Sequence, residues 1–228
     1  MREGAWPFMI EHTAGRTGAP YAMNDLSVAL AHNDQFQEVT DLCREARELA
    51  IAANGPDAPI TLIISMNLST ALRETGKKDE AKELVQHVLE SQRRILPPDH
   101  PSIAGTLLQC AHMCGAAGDI EGAISALEEA LDIQIRSMGE GSFRVAETRL
   151  SLSSIYVHQK EFDKAEELLD LAFDSVKPTW CEHPAFERTL QEAILELQRL
   201  RNQSAKVKDW EKQFDALRCD PAESSLAE

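Results

Sequence analysis

Aromatic residues are scarce in this sequence. Phe, Trp and Tyr make up 5% of the 228 residues, whereas hydrophobic residues as a whole make up 43%. That hydrophobic content is enough for a packed core and excludes a wholly disordered chain. Alanine and leucine fill the apolar positions, which favours close packing of helices over β-sheets rich in aromatic and β-branched residues.

Positive charge is also in short supply. The chain has 23 Lys and Arg against 38 Asp and Glu, a net charge of −15. Nucleic acids and anionic membranes attract clusters of Lys and Arg, so neither is an expected partner. No apolar run approaches the length that spans a bilayer. The acidic balance leaves two interpretations, a basic protein partner or simple solubility.

The cysteines form no recognisable disulfide framework. They are five in number, at Cys43, Cys110, Cys114, Cys181 and Cys219. We therefore predict reduced thiols in an intracellular, cytoplasmic protein. The apolar run from Ala5 to Ile10 is short, is followed by Glu11, and lacks a basic n-region and a cleavage site, so it is not expected to be a signal peptide.

Catalytic motifs are missing as well, since the chain has no phosphate-binding glycine loop, no HExxH and no GxSxG. Cys110, His112 and Cys114 resemble a metal cluster, but on a helix His112 lies about 200° round from Cys110. We therefore expect no metal, no cofactor and no enzyme activity. Cys181 and His183 could form a nucleophile–base pair, which keeps a cysteine-dependent enzyme as a minor alternative.

What the sequence does contain is a repeat of 42 residues. Ala81, Ala123 and Ala165 stand 42 apart within three alignable stretches. A fixed period in this range predicts a stacked array of helix pairs. Glycine ends the first helix of two repeats, at Gly76 and Gly118. The fourth repeat has Lys160 at this position, so we expect its turn to close differently.

Carrying the period along the chain divides it into segments. We predict a mobile leader (1–18), a repeat domain (19–218) and a disordered tail (219–228). The repeats are expected at about 19–59, 60–101, 102–143, 144–184 and 185–218. Trp6, Phe8 and Ile10 of the leader are expected to dock on a neighbouring surface.

Four sets of equivalent positions carry a family resemblance. Two sets lie before the turn of each helix pair. The small residues are Ser27, Ser69, Ala111 and Ser153, and the large residues, three positions later and just before the turn, are Leu30, Leu72, Cys114 and Tyr156. Small apolar residues line the second helix at Val39, Ala81, Ala123 and Ala165, and again at Ala46, Val88, Ala130 and Ala172. Over roughly residues 19–200 the pattern resembles the tetratricopeptide repeat, and its spacing resembles the kinesin-light-chain type. The resemblance implies an all-α, right-handed superhelical solenoid of antiparallel helix pairs.

The resemblance further implies that the first helices line a concave, peptide-binding groove. The candidate residues are Asn24, Met66, Asn67, Thr70, Arg73, Leu108, Gln109, His112, Leu150, Ser151, Ser154 and His158. The amides of Asn67 and Gln109 could pair with an extended backbone, although Asn67 could equally bond to the adjacent helix. Met66, Leu108 and Leu150 make the groove partly apolar, which suits an amphipathic helix or a leucine-rich peptide.

These observations favour a protein-interaction adaptor that binds a peptide or helix of another protein. The lysine that grips the terminal carboxylate of heat-shock chaperones in related proteins is replaced by Asn24 and Met66, so a chaperone clamp is not expected. The alternative is a structural, self-associating homo-oligomer whose groove is idle or filled by its own leader.

Overall fold

The computed structural model describes residues 18–217, which form ten α-helices joined by short turns. The helices are α1 (Ala19–Ala31), α2 (Phe36–Asn54), α3 (Pro59–Glu74), α4 (Lys78–Ile95), α5 (Pro101–Ala116), α6 (Ile120–Met138), α7 (Phe143–His158), α8 (Phe162–Val176), α9 (Pro184–Leu200) and α10 (Ser204–Ala216). A short 3₁₀ helix, Lys177–Thr179, follows α8, and no strand occurs between residues 18 and 217. The predicted all-α fold of helix pairs is confirmed. The predictions for the leader up to residue 17 and for the tail from residue 218 lie outside the described residues.

The helices form two compact blocks. The first block runs to Pro98 and includes Gly105–Ala117, and the second comprises Asp99–Ala104 and the residues from Gly118 onward. In the first block, α1, α2 and α3 pack around a core that contains Met23, Cys43 and Leu72. In the second block, α7 packs on α6 and α8, and α8 packs on α9.

Small side chains allow the helices of a pair to approach each other closely. Ala81, Ala123 and Ala165 are each no more than 1% exposed, so a larger side chain would meet the facing helix. Serine before the turn is also buried, at Ser27, Ser69 and Ser153, and each hydroxyl donates to the carbonyl three residues earlier at 2.7 Å. Serine can therefore stand where Ala111 stands without leaving an unpaired polar group.

The turns within the pairs are alike, including the one that contains lysine. Gly76, Gly118 and Lys160 have φ of +83°, +78° and +63°, all in the left-handed region. The N–H of Lys77 donates to the Leu72 carbonyl, and the N–H of Glu161 donates to the Tyr156 carbonyl, at 2.8 and 2.9 Å. The prediction of a different turn at Lys160 is wrong. Left-handed lysine costs about 1–2 kcal/mol, which these hydrogen bonds and the packing of the pair outweigh.

Buried polar pairs recur at the 42-residue period where one helix pair meets the next. Thr106 Oγ1 donates to Gln92 Oε1 at 2.7 Å, and Thr148 Oγ1 donates to Gln134 Oε1 at 2.8 Å. At the two remaining junctions the same positions hold buried apolar residues, namely Ala50 with Ile64 and Val176 with Leu190. Each junction is thus internally matched, either polar with polar or apolar with apolar.

Candidate functional site

In the first block, the predicted groove residues lie on α1, α3 and α5. Asn67 Nδ2 donates to Asn24 Oδ1 at 2.9 Å, and Gln109 Nε2 donates to Thr70 Oγ1 at 3.2 Å. Ser69 Oγ donates to Gln109 Oε1 at 3.3 Å. The two side-chain amides therefore form hydrogen bonds between neighbouring first helices. For Asn67, this is the alternative in which its side chain bonds to the adjacent helix. Their role in ligand binding stays a prediction.

Two apolar side chains on the same helix faces, Tyr21 and Ile63, were not among the predicted groove residues. Tyr21, Val28 and Ile63 are 54%, 41% and 51% exposed. Tyr21 and Ile63 occupy equivalent repeat positions on α1 and α3, which contact each other. Each lies one helical turn before a predicted groove residue, Asn24 or Met66, and therefore shares its face. We call these residues, with Met66, the apolar patch. The 42-residue alignment could have found Tyr21 and Ile63, because large apolar residues are unexpected at an exposed position.

The remaining predicted residues of the first block differ in exposure. Leu108 is partly buried on α5, whereas His112 on the same helix is exposed. Arg73 pairs with its neighbour Glu74, with Nη2 2.7 Å from Oε1. A ligand carboxylate would have to compete with Glu74 for this guanidinium, which weakens the predicted clamp.

In the second block, three of the four predicted residues come together. Leu150, Ser154 and His158 of α7 line a cavity of about 120 Å³, opposite Glu196 and Leu197 of α9. Ser151 is exposed, and its hydroxyl donates to the Glu147 carbonyl at 3.0 Å. The cavity is large enough for one side chain of a ligand.

The first block has a larger cleft elsewhere, between the second helices α2 and α4. Its volume is about 390 Å³ and its floor includes Leu68 and Leu84. An ion pair crosses it, since Arg44 Nη2 lies 2.7 Å from Glu80 Oε1. Charges of both signs line this cleft, and Arg44 and Glu80 pair with each other, so the cleft does not match a purely apolar ligand.

The prediction of reduced cysteines holds for three positions and is wrong at Cys181. Cys43, Cys110 and Cys114 are not disulfide-bonded, whereas Cys181 is. Its sulfur lies 3.8 Å from the Leu217 carbonyl oxygen, because α10 returns to the loop before α9. Because only the fold brings α10 close to Cys181, the spacing of the cysteines along the sequence could not reveal this disulfide. The cytoplasmic prediction loses this part of its support.

The proposed Cys181–His183 nucleophile pair does not form. A disulfide-bonded sulfur is not a thiolate nucleophile, and the His183 ring stacks on Phe143, with ring centres 3.9 Å apart. The backbone N–H groups of Cys181 and His183 both donate to Glu187 Oε1, at 2.7 and 3.0 Å. This loop is therefore held by a buried carboxylate, and the cysteine-dependent alternative has no nucleophile here.

Two further features are absent from the residues that the structure describes. Between residues 18 and 217, no three His, Cys, Asp or Glu side chains lie close enough to hold a metal ion together. In the same range, no helix combines the length and apolar character needed to cross a membrane.

Comparison with known proteins identifies the repeat. The tetratricopeptide repeat family model matches residues 19–94 and 102–177. The chain belongs to the tetratricopeptide repeat family. The two matches begin at the first residue of α1 and one residue into α5, so each covers two helix pairs of this tetratricopeptide repeat array.

The relatives point to the kinesin-light-chain type of repeat. The chain is 32% identical over 111 residues to Protein KINESIN LIGHT CHAIN-RELATED 1 of Arabidopsis thaliana, an alignment that covers 48% of this chain and only 18% of that protein. It superposes on BtubC (BKLC) from P. vanneervenii with a TM-score of 0.79 and 19% identity, covering 93% of this chain and 85% of that one. It also superposes on the nearly identical, kinesin-light-chain TPR-like repeats of Podosopora anserina, with a TM-score of 0.72, 22% identity, and 86% and 93% coverage. The structural likenesses establish the fold.

Proposed function

We propose that this tetratricopeptide repeat protein is a non-catalytic adaptor that binds an apolar peptide or amphipathic helix of another protein on the apolar patch. The observation that carries the proposal is the exposure of Tyr21, Val28 and Ile63 on adjacent first helices. Exposed apolar side chains on adjacent helices of a chain with net charge −15 favour an interaction surface, since solubility alone would select polar residues there.

Binding would draw on two kinds of contact. Ile63 and Tyr21 are about half exposed, so covering the exposed part of each side chain with a ligand contributes roughly 1 kcal/mol. The carbonyl oxygen of Asn67 lies beside the patch and could accept a backbone N–H of the ligand, while its Nδ2 stays on Asn24. Leu108 would extend the apolar surface along α5. In the second block, the cavity lined by Leu150 offers a separate place for one ligand side chain.

The test is affinity capture from lysate with wild type, Ile63→Glu, the double variant Asn67→Ala with Leu108→Glu, and Leu171→Glu as matched control. Ile63 is 51% exposed, so glutamate there should leave folding intact. Leu171 is 38% exposed on a second helix, α8, and controls for added charge. We expect wild type and Leu171→Glu to retain the same proteins, identified by mass spectrometry, and the other two variants to retain at least about tenfold less.

Equal capture by Ile63→Glu and wild type would show that the apolar patch is not the binding surface. Loss in Leu171→Glu alone would place binding on a second helix instead. Circular dichroism of each variant would verify that the helices are intact before the captures are compared.

A further inference from the structure

The face of α1 that begins the repeat array is apolar and exposed. It consists of Ala22, Leu26 and Ala29, which we call the leading face. Leu26 is 37% exposed. At its position in later repeats, Leu68, Leu152 and Ile194 are 4%, 1% and 1% exposed, and Cys110 is partly buried. Ala22 and Ala29 are exposed as well. The terminal helix of a solenoid needs a polar outer face when nothing packs on it, and the leading face lacks one.

The corresponding faces of later repeats show what kind of structure covers such a surface. In each case the helix that precedes it in the chain packs on it: α2 on α3, α6 on α7, and α8 on α9. The covering helix contributes a buried apolar stripe, which in α2 comprises Val39, Cys43, Ala46 and Ala50. The leading face should therefore be covered by a short apolar segment that comes before α1.

We propose that the segment Trp6–Ile10 of this same chain covers the leading face and caps the array. Trp6, Phe8, Met9 and Ile10 make it strongly apolar, and it lies outside the described residues. Seven residues, 11–17, separate it from Gly18. By comparison, only the four residues 55–58 connect α2 to α3, so the connection is long enough.

The 42-residue register supports this pairing at the level of single residues. Phe8 falls at the position of Ala50, Gln92, Gln134 and Val176, all of which are buried at junctions between repeats. Its counterpart on α1 is Ala22, just as Gln92 faces Thr106. A small Ala50 stands at the junction with a large Ile64, and a large Phe8 would stand opposite the small Ala22. The volumes are complementary in both cases.

The test is fluorine NMR of the full chain with its three tryptophans replaced by 5-fluorotryptophan. The Trp6 signal is identified as the one absent from Trp6→Phe. We expect it to lie away from its position in urea-unfolded protein, and Leu26→Glu to move it to that position. Trp180 and Trp210 lie in the second block and should not shift, which shows that the second block of Leu26→Glu is folded. Circular dichroism and a urea-unfolding midpoint close to those of wild type verify that the first block is folded as well. Leu171→Glu, equally exposed, should leave Trp6 unchanged.

Four outcomes would overturn the proposal. The first is a Trp6 signal that already lies at the unfolded position in wild type. The second is a Trp6 chemical shift that is the same in Leu26→Glu as in wild type. The third is a response to Ile63→Glu but not to Leu26→Glu, which would place the segment on the apolar patch instead. The fourth is a Trp6 shift that disappears on dilution while the mass in sedimentation halves, which would assign the leading face to a second copy of the chain.

Discussion

At the scale of single residues, Lys160 shows how a repeat tolerates an unfavourable side chain. Its φ of +63° matches the glycines at the equivalent turns, so the turn geometry is set by the helix pair. The residues that flank the turn are ordinary, since Gln159 has φ of −78°. The strain is therefore confined to one position and can be removed there.

We predict that Lys160→Gly stabilises the protein by about 0.5–1 kcal/mol. Glycine removes the left-handed strain of about 1–2 kcal/mol, partly offset by the greater freedom of glycine in the unfolded chain, about 0.4–1 kcal/mol. Urea unfolding followed by circular dichroism measures the change in midpoint. Gln159→Gly is the control and should destabilise, because it adds unfolded-state freedom without relieving strain. Two shifts of the same sign would contradict this account.

Patterns of single residues in the sequence predict the positions where small side chains are buried. They do not predict positions such as Lys160, where the packing of the helix pair outweighs an unfavourable backbone conformation. Ala81, Ala123 and Ala165 repeat because only a small side chain fits between the helices, so periodicity alone identifies them. The prediction at Lys160 is wrong because the backbone preference of one residue does not include the packing energy of the surrounding helix pair. The hydrogen bond from Asn67 to Asn24 depends on side-chain directions on two helices, which the sequence leaves open.

At the scale of elements, Glu166 joins three helices of the second block. Its carboxylate on α8 accepts from Gln198 Nε2 of α9 at 2.8 Å, from Arg201 Nη1 just after α9 at 2.8 Å, and from Lys206 Nζ of α10 at 2.6 Å. Burial would raise the pKa of Glu166, but the hydrogen bonds from Lys206 and Gln198 and the charges of Lys206 and Arg201 lower it overall.

A lowered pKa predicts a particular dependence of stability on pH. The folded protein binds the Glu166 proton less readily than the unfolded chain does. The stabilisation is therefore complete above the unfolded pKa of about 4.3 and is lost as the pH falls through the folded value. We expect Glu166→Gln to lower the free energy of unfolding by about 1–3 kcal/mol at neutral pH and by progressively less in acid. Urea titrations at a series of pH values measure this difference.

Glu167→Gln is the matched control, since Glu167 is the exposed neighbour on the same helix. Its effect should be within about 0.5 kcal/mol of wild type. If Glu166→Gln lowered the free energy of unfolding by the same amount at acidic and neutral pH, the ionised form of Glu166 would not be what stabilises the contacts of α8 with α9 and α10.

The elements themselves were largely predictable, whereas their long-range links were not. Gly76, Gly118 and Pro97 mark helix ends through local backbone preference, and α3 to α6 begin and end close to these signals. The disulfide of Cys181 and the three contacts of Glu166 depend on how α9 and α10 return to α8. That return is a property of packing and carries no local signature.

At the scale of the whole molecule, the net charge of −15 offers a way to distinguish two kinds of binding surface. If a partner binds the apolar patch, raising the salt concentration from about 0.05 M to about 0.5 M should change its affinity by less than about threefold. If the acidic surface were the site, screening would weaken binding by more than about tenfold over that range. Titration of the captured partner at the two concentrations, with Ile63→Glu alongside, measures the difference.

The matched junctions between helix pairs bear on how such an array can evolve by gain and loss of repeats. Removing residues 97–138 would bring Gln92 opposite Thr148 and preserve a polar pair. Removing 55–96 would set Ala50 against Thr106, and removing 139–180 would set Gln134 against Leu190, leaving a buried polar group unpaired at a cost of about 1–3 kcal/mol. Of these three deletions, only the removal of residues 97–138 leaves a matched pair at the new junction. The order of the repeats is therefore fixed by the partners that each one requires, and recombination within this chain is constrained at specific boundaries.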